Sequence, residues 1–286
     1  MTDTPNPLVN VKDLAGLSGP AKTLIEKVSG AVGAIFEPHQ IKRVAKAKAD
    51  AAIIEAQTEI EITDLHRRAA YRWLEEEAQR QKNIEDITMQ ALPHLAENTD
   101  ASKMDNDWIT NFFDKARIIS DADMQKLWSR LLAEEANKPG CHSKRAVNVL
   151  GDMDKNDAEI FTKLCRFCCM FGNITPIILN YDDEIYQNHS ISFANLSHLE
   201  SIGLIHFNIA GEFKKMNLPK QFSIHYYGVK LYLAMQEDDN NELITGVVML
   251  TKVGKELYSI CGSLPIDGFI EYIKNKWSAF SPSDSI

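Results

Sequence analysis

The chain has 286 residues, 44% of them hydrophobic and 25% charged, which is enough apolar content for one large or two smaller buried cores. Its net charge of −9 gives no general attraction to polyanions, so any nucleic-acid site would have to be a local basic patch. The five cysteines, Cys141, Cys165, Cys168, Cys169 and Cys261, are odd in number and partly adjacent, which fits reduced thiols and a cytoplasmic setting better than a disulfide framework.

Residues 1–20 carry Pro5, Pro7, Gly16, Gly19 and Pro20 and predict a flexible tail without the basic start and apolar core of a secretory signal. No run approaches the roughly 18 apolar residues that a spanning helix needs. Ala21 to Phe36 predicts an amphipathic helix with Leu24, Ile25, Val28, Val32, Ile35 and Phe36 on one face. That face either packs in a bundle or offers an interaction or membrane surface, although its polar side is only weakly basic.

After Glu37 and Pro38 the sequence runs to Leu92 without another proline or glycine. A continuous helix of that length would reach about 80 Å at 1.5 Å per residue. Residues 21–98 are therefore expected to form an amphipathic helix followed by a long helical arm, which would pair with another copy or a protein partner. Lys42, Arg43, Lys46 and Lys48 read as the solvated face of this arm, since Asp50 and Glu55 follow closely.

Residues 99–172 predict a compact helical core. Its first helix runs from Asp107 to Ile118 and turns Trp108, Ile109, Phe112, Phe113 and Ala116 to one side. Ser120 and Asp123 have capping-box spacing ahead of a helix that carries Met124, Leu127, Trp128, Leu131 and Leu132, and Lys138, Pro139 and Gly140 end it. Ser143 and Asp154 would cap two further helices, the second running from Lys155 towards Phe171.

Residues 173–286 predict a winged-helix-like α+β module. The helix SISFANLSHLESIGLI spans Ser190 to Ile205 and is followed by two β-rich runs, Tyr226 to Met235 and Leu243 to Leu250. An acidic loop, Glu237 to Glu242, joins the runs, and a closing helix starts in LTKVGKELYSI. The fold class expected is thus mainly α with a smaller α+β part, built as a long N-terminal arm, a central helical bundle and the winged-helix-like module.

The segment MQKLWSRLLAEEANKPGCHSKRAVNVLGDMDKNDAEIF resembles the core of the Abi-alpha proteins, bacterial abortive-infection factors, through Met124, Leu127, Trp128, Leu131, Leu132, Ala133, Val149, Leu150, Asp157, Ala158 and Ile160. The chain as a whole is similar to a sister bacterial family of unassigned activity. The resemblance implies a role in defence against phage, with a phage-derived protein as one partner, and it brings no catalytic residues with it.

The chemistry-bearing residues are sparse. CxxCC at Cys165, Cys168 and Cys169, set in a predicted helix, would place two thiols on one face, but the two further ligands of a closed zinc site are lacking, so buried thiols are expected. Asp182, Asp183 and Glu184 lack the further carboxylate and lysine of a metal-dependent nuclease. There is no GxxxxGK[ST] and no GxGxxG. No cofactor and no catalytic constellation is expected. The predicted recognition helix, Phe193 to Ile202, has no Lys or Arg, so phosphate contacts would have to come from Lys214, Lys215, Lys220 and Lys230 around the wing.

Overall fold

A computed structural model of the chain describes residues 16–33 and 63–278. It divides into two compact units, one ending at Gly151 and one beginning at Asp152. The division falls inside the 99–172 stretch expected to be one helical core. The fold is mixed α+β, with strands in small antiparallel sheets.

The first unit is helical. Helix α1, Gly19–Val32, is capped by Ser18, whose Oγ accepts from the Ala21 amide, and ends at Gly33 in the left-handed region. Leu24, Ile25 and Val28, offered as a membrane or interaction face, are buried where α1 packs beside helix α3, Asn106–Ala116. Val32 is half-buried, while Ile35 and Phe36 lie outside the described residues.

Helix α2 spans Asp64–Ala91 behind an N-cap at Thr63 and ends one residue before the expected Leu92. The rest of the expected arm, residues 37–62, including the basic run, lies outside the described residues. Helix α4, Ala122–Asn137, is capped by Asp121, whose carboxylate accepts from the amides of Asp123 and Met124, so the expected Ser120 cap is displaced by one residue. An aspartate competes well for that position because its charge also faces the helix dipole.

The core of this unit closes around Trp128. Its ring meets Phe112 edge-on at 5.0 Å, and Trp108 stacks on Phe112 at 5.2 Å. The C-terminal half of α2 lies along α4, turning Ile84, Ile87 and Ala91 inward. Asn83 donates to the Arg117 carbonyl and Gln125 to that of Ile119, which satisfies two carbonyls after α3. Ser143 caps helix α5, Lys144–Asp152, through its Oγ and the Ala146 amide.

The second unit opens with α6, Lys155–Cys165, which carries a reciprocal capping box between Asp154 and Asp157. This helix stops at Cys165, and Cys168 and Cys169 lie on strand β1, Cys168–Phe171. The expected helical CxxCC is therefore split between two elements. Its physical reason is the β-prone run from Phe167 to Phe171, which ends at Gly172, φ 70°, and returns as β2, Asn173–Pro176.

A short helix α7, Glu184–Gln187, precedes α8, Phe193–Ser201, so α8 is shorter than the Ser190 to Ile205 helix expected. The last residues of that stretch form strand β3, Ile205–Phe207, after a left-handed Gly203. Then come β4 (Phe213–Leu218), β5 (Gln221–Tyr226), β6 (Val229–Ala234), β7 (Asn241–Gly246) and β8 (Val248–Leu250). They nest as one long hairpin in which β3 pairs with β8, β4 with β7 and β5 with β6. Both β-rich runs expected as single strands are interrupted. Tyr227 and Gly228, both at positive φ, turn the chain between β5 and β6, and Gly246, φ 107°, breaks the second run.

The tip of this hairpin does not stand free. Strand β5 also pairs with β1, giving a four-stranded sheet in the order β2-β1-β5-β6. Helices α9, Lys252–Tyr258, and α10, Phe269–Lys276, complete the unit. Phe167, Tyr186, Tyr226 and Phe269 cluster with ring centroids 4.9 to 6.4 Å apart.

Candidate functional site

The expected site residues scatter. Lys214 pairs with Glu242 at 3.1 Å and Lys220 with Asp238 at 2.8 Å, while Lys215 donates to the Asn173 side chain. Lys215 and Lys230 also lie over the rings of Phe171 and Tyr232. These ammonium groups are spread along β4, the β4–β5 turn and β6, and two already face a carboxylate, which weakens their joint attraction for phosphate.

Of the YDDE carboxylates, Asp183 is used for packing, while Asp182 and Glu184 are exposed. Asp183 accepts from Tyr272 Oη at 2.7 Å, from Asn180 at 2.8 Å and from Lys276 at 2.9 Å, so it ties α10 to the loop before α7. The Lys276 ammonium, followed by the Tyr272 hydroxyl, holds this carboxyl below its ordinary pKa.

The thiols of Cys141, Cys165 and Cys169 are poor nucleophiles. Cys165 is fully buried with Cys168 and Cys261 in hydrogen-bond reach, and burial pushes its pKa far above the usual thiol range. Burial, then the neighbouring Glu135 carboxylate, pushes Cys141 up to about 12. Thiolate formation, on which attack and metal ligation depend, is thereby suppressed. Among the described residues no group of three or more His, Cys, Asp and Glu side chains is arranged to hold a metal ion.

Two polar constructions went unforeseen in the sequence. Glu135, only 1% exposed, accepts from the amides of Gly140 at 2.6 Å and His142 at 2.9 Å, fixing the turn after α4. His142 in turn sets its Nε2 3.0 Å from Glu134, and its carbonyl accepts from the Trp108 indole. In the second unit, His198 on α8 lies 2.6 Å from Asp157, the residue that closes the capping box of α6. The Asp157–His198 pair clamps α6 to α8.

One described surface is uncovered and apolar. No residue of α2 before Asn83 is buried, and every residue from Asp64 to Trp73, about 15 Å of helix, is exposed. Leu65, Ala69 and Trp73 follow one another at i, i+4, i+8 on the side of the helix that carries Ile84 and Ile87 further along. Leu65 is 65% exposed and Trp73 62%. The sequence signal was present: a tryptophan and a leucine at helical spacing within an otherwise charged segment.

A family model described as "Protein of unknown function (DUF2806)" matches residues 67–274. The chain belongs to this family. The match runs from the exposed half of α2 into α10, and so takes in most of both units; it carries no link to Abi-alpha proteins or to phage defence. No curated protein and no solved structure matches the chain. No helix among the described residues is long and apolar enough to cross a membrane.

Proposed function

We propose that this DUF2806 protein works by binding protein rather than by catalysis, with the projecting half of α2 as its contact surface. The observation that carries this reading is the exposed Leu65–Ala69–Trp73 stripe. An apolar row with a tryptophan is costly to leave in water, and tryptophan is enriched where interfaces concentrate their binding energy. The scattered lysines, the raised thiol pKa values of Cys141 and Cys165 and the packing role of Asp183 favour this reading over a chemical one.

The order of the second unit, α6, an extended segment, α7, α8, β3, a long hairpin and β8, supports a winged-helix-like module, elaborated by the β1–β2 hairpin that holds the wing tip. With no Lys or Arg on α8 and the wing lysines engaged, protein contact is the better use of such a module than base reading. The Abi-alpha resemblance of the central segment supplies the proposed setting, cytoplasmic defence against phage. Burial of Leu24, Ile25 and Val28 argues against membrane insertion by α1.

Phage challenge of cells carrying the gene, the Leu65→Glu/Trp73→Glu variant or neither tests this reading. Fewer plaques with the gene and full plaque numbers with the variant are the expected result. Equal plaque counts with and without the gene would remove the defence role, and undiminished protection by the variant would remove the arm from it.

A further inference from the structure

We propose that Cys165 and Cys261 form a reversible oxidation site, at which a peroxide joins the end of α6 to the segment after α9 through a disulfide bond. Three thiols come together here from three elements: Cys165 ends α6, Cys168 starts β1 and Cys261 follows α9. Cys165 is the central one, in hydrogen-bond reach of the other two. Since no such group among the described residues is arranged around a metal ion, the cluster suits a reaction between two sulfurs better than ligation.

The approach of the two segments does not rest on the sulfurs alone. Arg166, next to Cys165, donates from Nε to the Leu264 carbonyl and from Nη2 to that of Pro265, each at 3.0 Å, although Arg166 and Leu264 lie 98 residues apart. Tyr226 Oη donates to the Arg166 carbonyl at 2.9 Å and accepts from the Ile266 amide at 2.7 Å. Tyr227 Oη reaches the Cys165 carbonyl at 3.4 Å and also bonds the Ser263 hydroxyl. These bonds hold residues 263–266 against the end of α6, so Cys165 and Cys261 meet at high effective concentration.

Exposure selects the sulfur that reacts first. Cys261 is 8% exposed, between the solvent-exposed Ser259 and Gly262, whereas Cys168 is 2% exposed and Cys165 fully buried. With hydrogen peroxide, the Cys261 sulfur attacks one peroxide oxygen, the O–O bond breaks, and a sulfenic acid and one water form. The Cys165 sulfur then attacks that of Cys261, and the sulfenic oxygen leaves as a second water with the Cys165 proton. The two sulfurs are oxidised by two electrons in all, and the peroxide is reduced to two waters. Burial suppresses the Cys165 thiolate, so this second step depends on proximity, and the site answers sustained rather than brief oxidation. The bond closes a loop of roughly a hundred residues, which restrains the unfolded chain and stabilises the second unit.

The test exposes the folded full-length protein to hydrogen peroxide, alkylates the remaining thiols under denaturing conditions and maps the peptides without reduction. The wild type is expected to lose two alkylatable thiols, to yield one peptide pair joined through Cys165 and Cys261, and to unfold several degrees higher. Dithiothreitol should reverse all three changes. Cys261→Ser should form no disulfide, and Cys168→Ser should form it as the wild type does.

An unchanged thiol count overturns the proposal, as does a Cys165–Cys168 link in the wild type or a Cys261 oxidised to the sulfinic acid without a cross-link. A disulfide that is lost with Cys168→Ser, in a variant whose far-ultraviolet circular dichroism matches the wild type, overturns the assignment of the pair. The wild-type peptide map decides the pairing even where a variant fails to fold.

Discussion

Gly254 shows how one residue type is dictated by a backbone approach. Thr251 caps α9 by accepting from the Gly254 amide at 3.0 Å, and its hydroxyl reaches the carbonyls of Gly203 and Leu204 at 2.7 and 3.1 Å. A Cβ at position 254 would stand 2.0 Å from the Leu204 oxygen. That oxygen is held in place, because it also accepts from the Thr251 amide at 3.1 Å. Gly254→Ala is therefore expected to cost about 3 kcal/mol or more, read as a fall in the urea midpoint with m unchanged. A loss below about 1 kcal/mol would show that α9 can retreat from β3. The LTxxG pattern is plain in the sequence and marks the helix start. The reason for its glycine is not, since the blocking carbonyl lies some fifty residues earlier along the chain.

The same contrast separates elements read correctly from those misread. The caps at Asp154 and Ser143 and the apolar face of α4 depend on neighbours within one or two turns, so local spacing suffices to find them. Strand β5 pairs along its length with the adjacent β6, but Gln221 to His225 lie ahead of the β-rich run expected from Tyr226, and the further contact of β5 with β1 joins residues as distant as Met170 and His225. The role of Asp183 was hidden for the same reason, with its partner Tyr272 lying 89 residues away. Its consequence is testable at the level of α10. Because the folded carboxyl titrates below an unfolded aspartate, near ~3.9, its contribution is complete above that value and is lost as pH falls through the lower folded value. Asp183→Asn should cost about 1–2 kcal/mol at pH 7, and the gap to wild type should close as the pH is lowered below ~3.9. A gap that stays constant from pH 7 to pH 3 would mean that the ion pair with Lys276 adds nothing to holding α10.

At the scale of the whole molecule, the chain builds two cores that share no central residue. One is organised by Trp128, Phe112 and Ile87, the other by Phe167, Tyr186 and Phe269, each of them essentially buried. A change in pattern, from helical spacing to β-rich runs, is legible in the chain, but near residue 173. The actual division at Gly151/Asp152 assigns α6 to the second unit, where the Asp157–His198 pair and the packing of α6 on α8 commit it. Two separate cores imply two cooperative transitions. Trp128→Ala removes a fully buried indole and should cost about 3–5 kcal/mol in the first unit, lowering one calorimetric transition by several degrees. Tyr186→Phe leaves the ring but removes the hydroxyl that donates to the Ile177 carbonyl at 2.9 Å, and should lower the other transition by a smaller amount. Each substitution should leave the remaining transition in place. A single transition that both substitutions shift together would show that the two cores unfold as one.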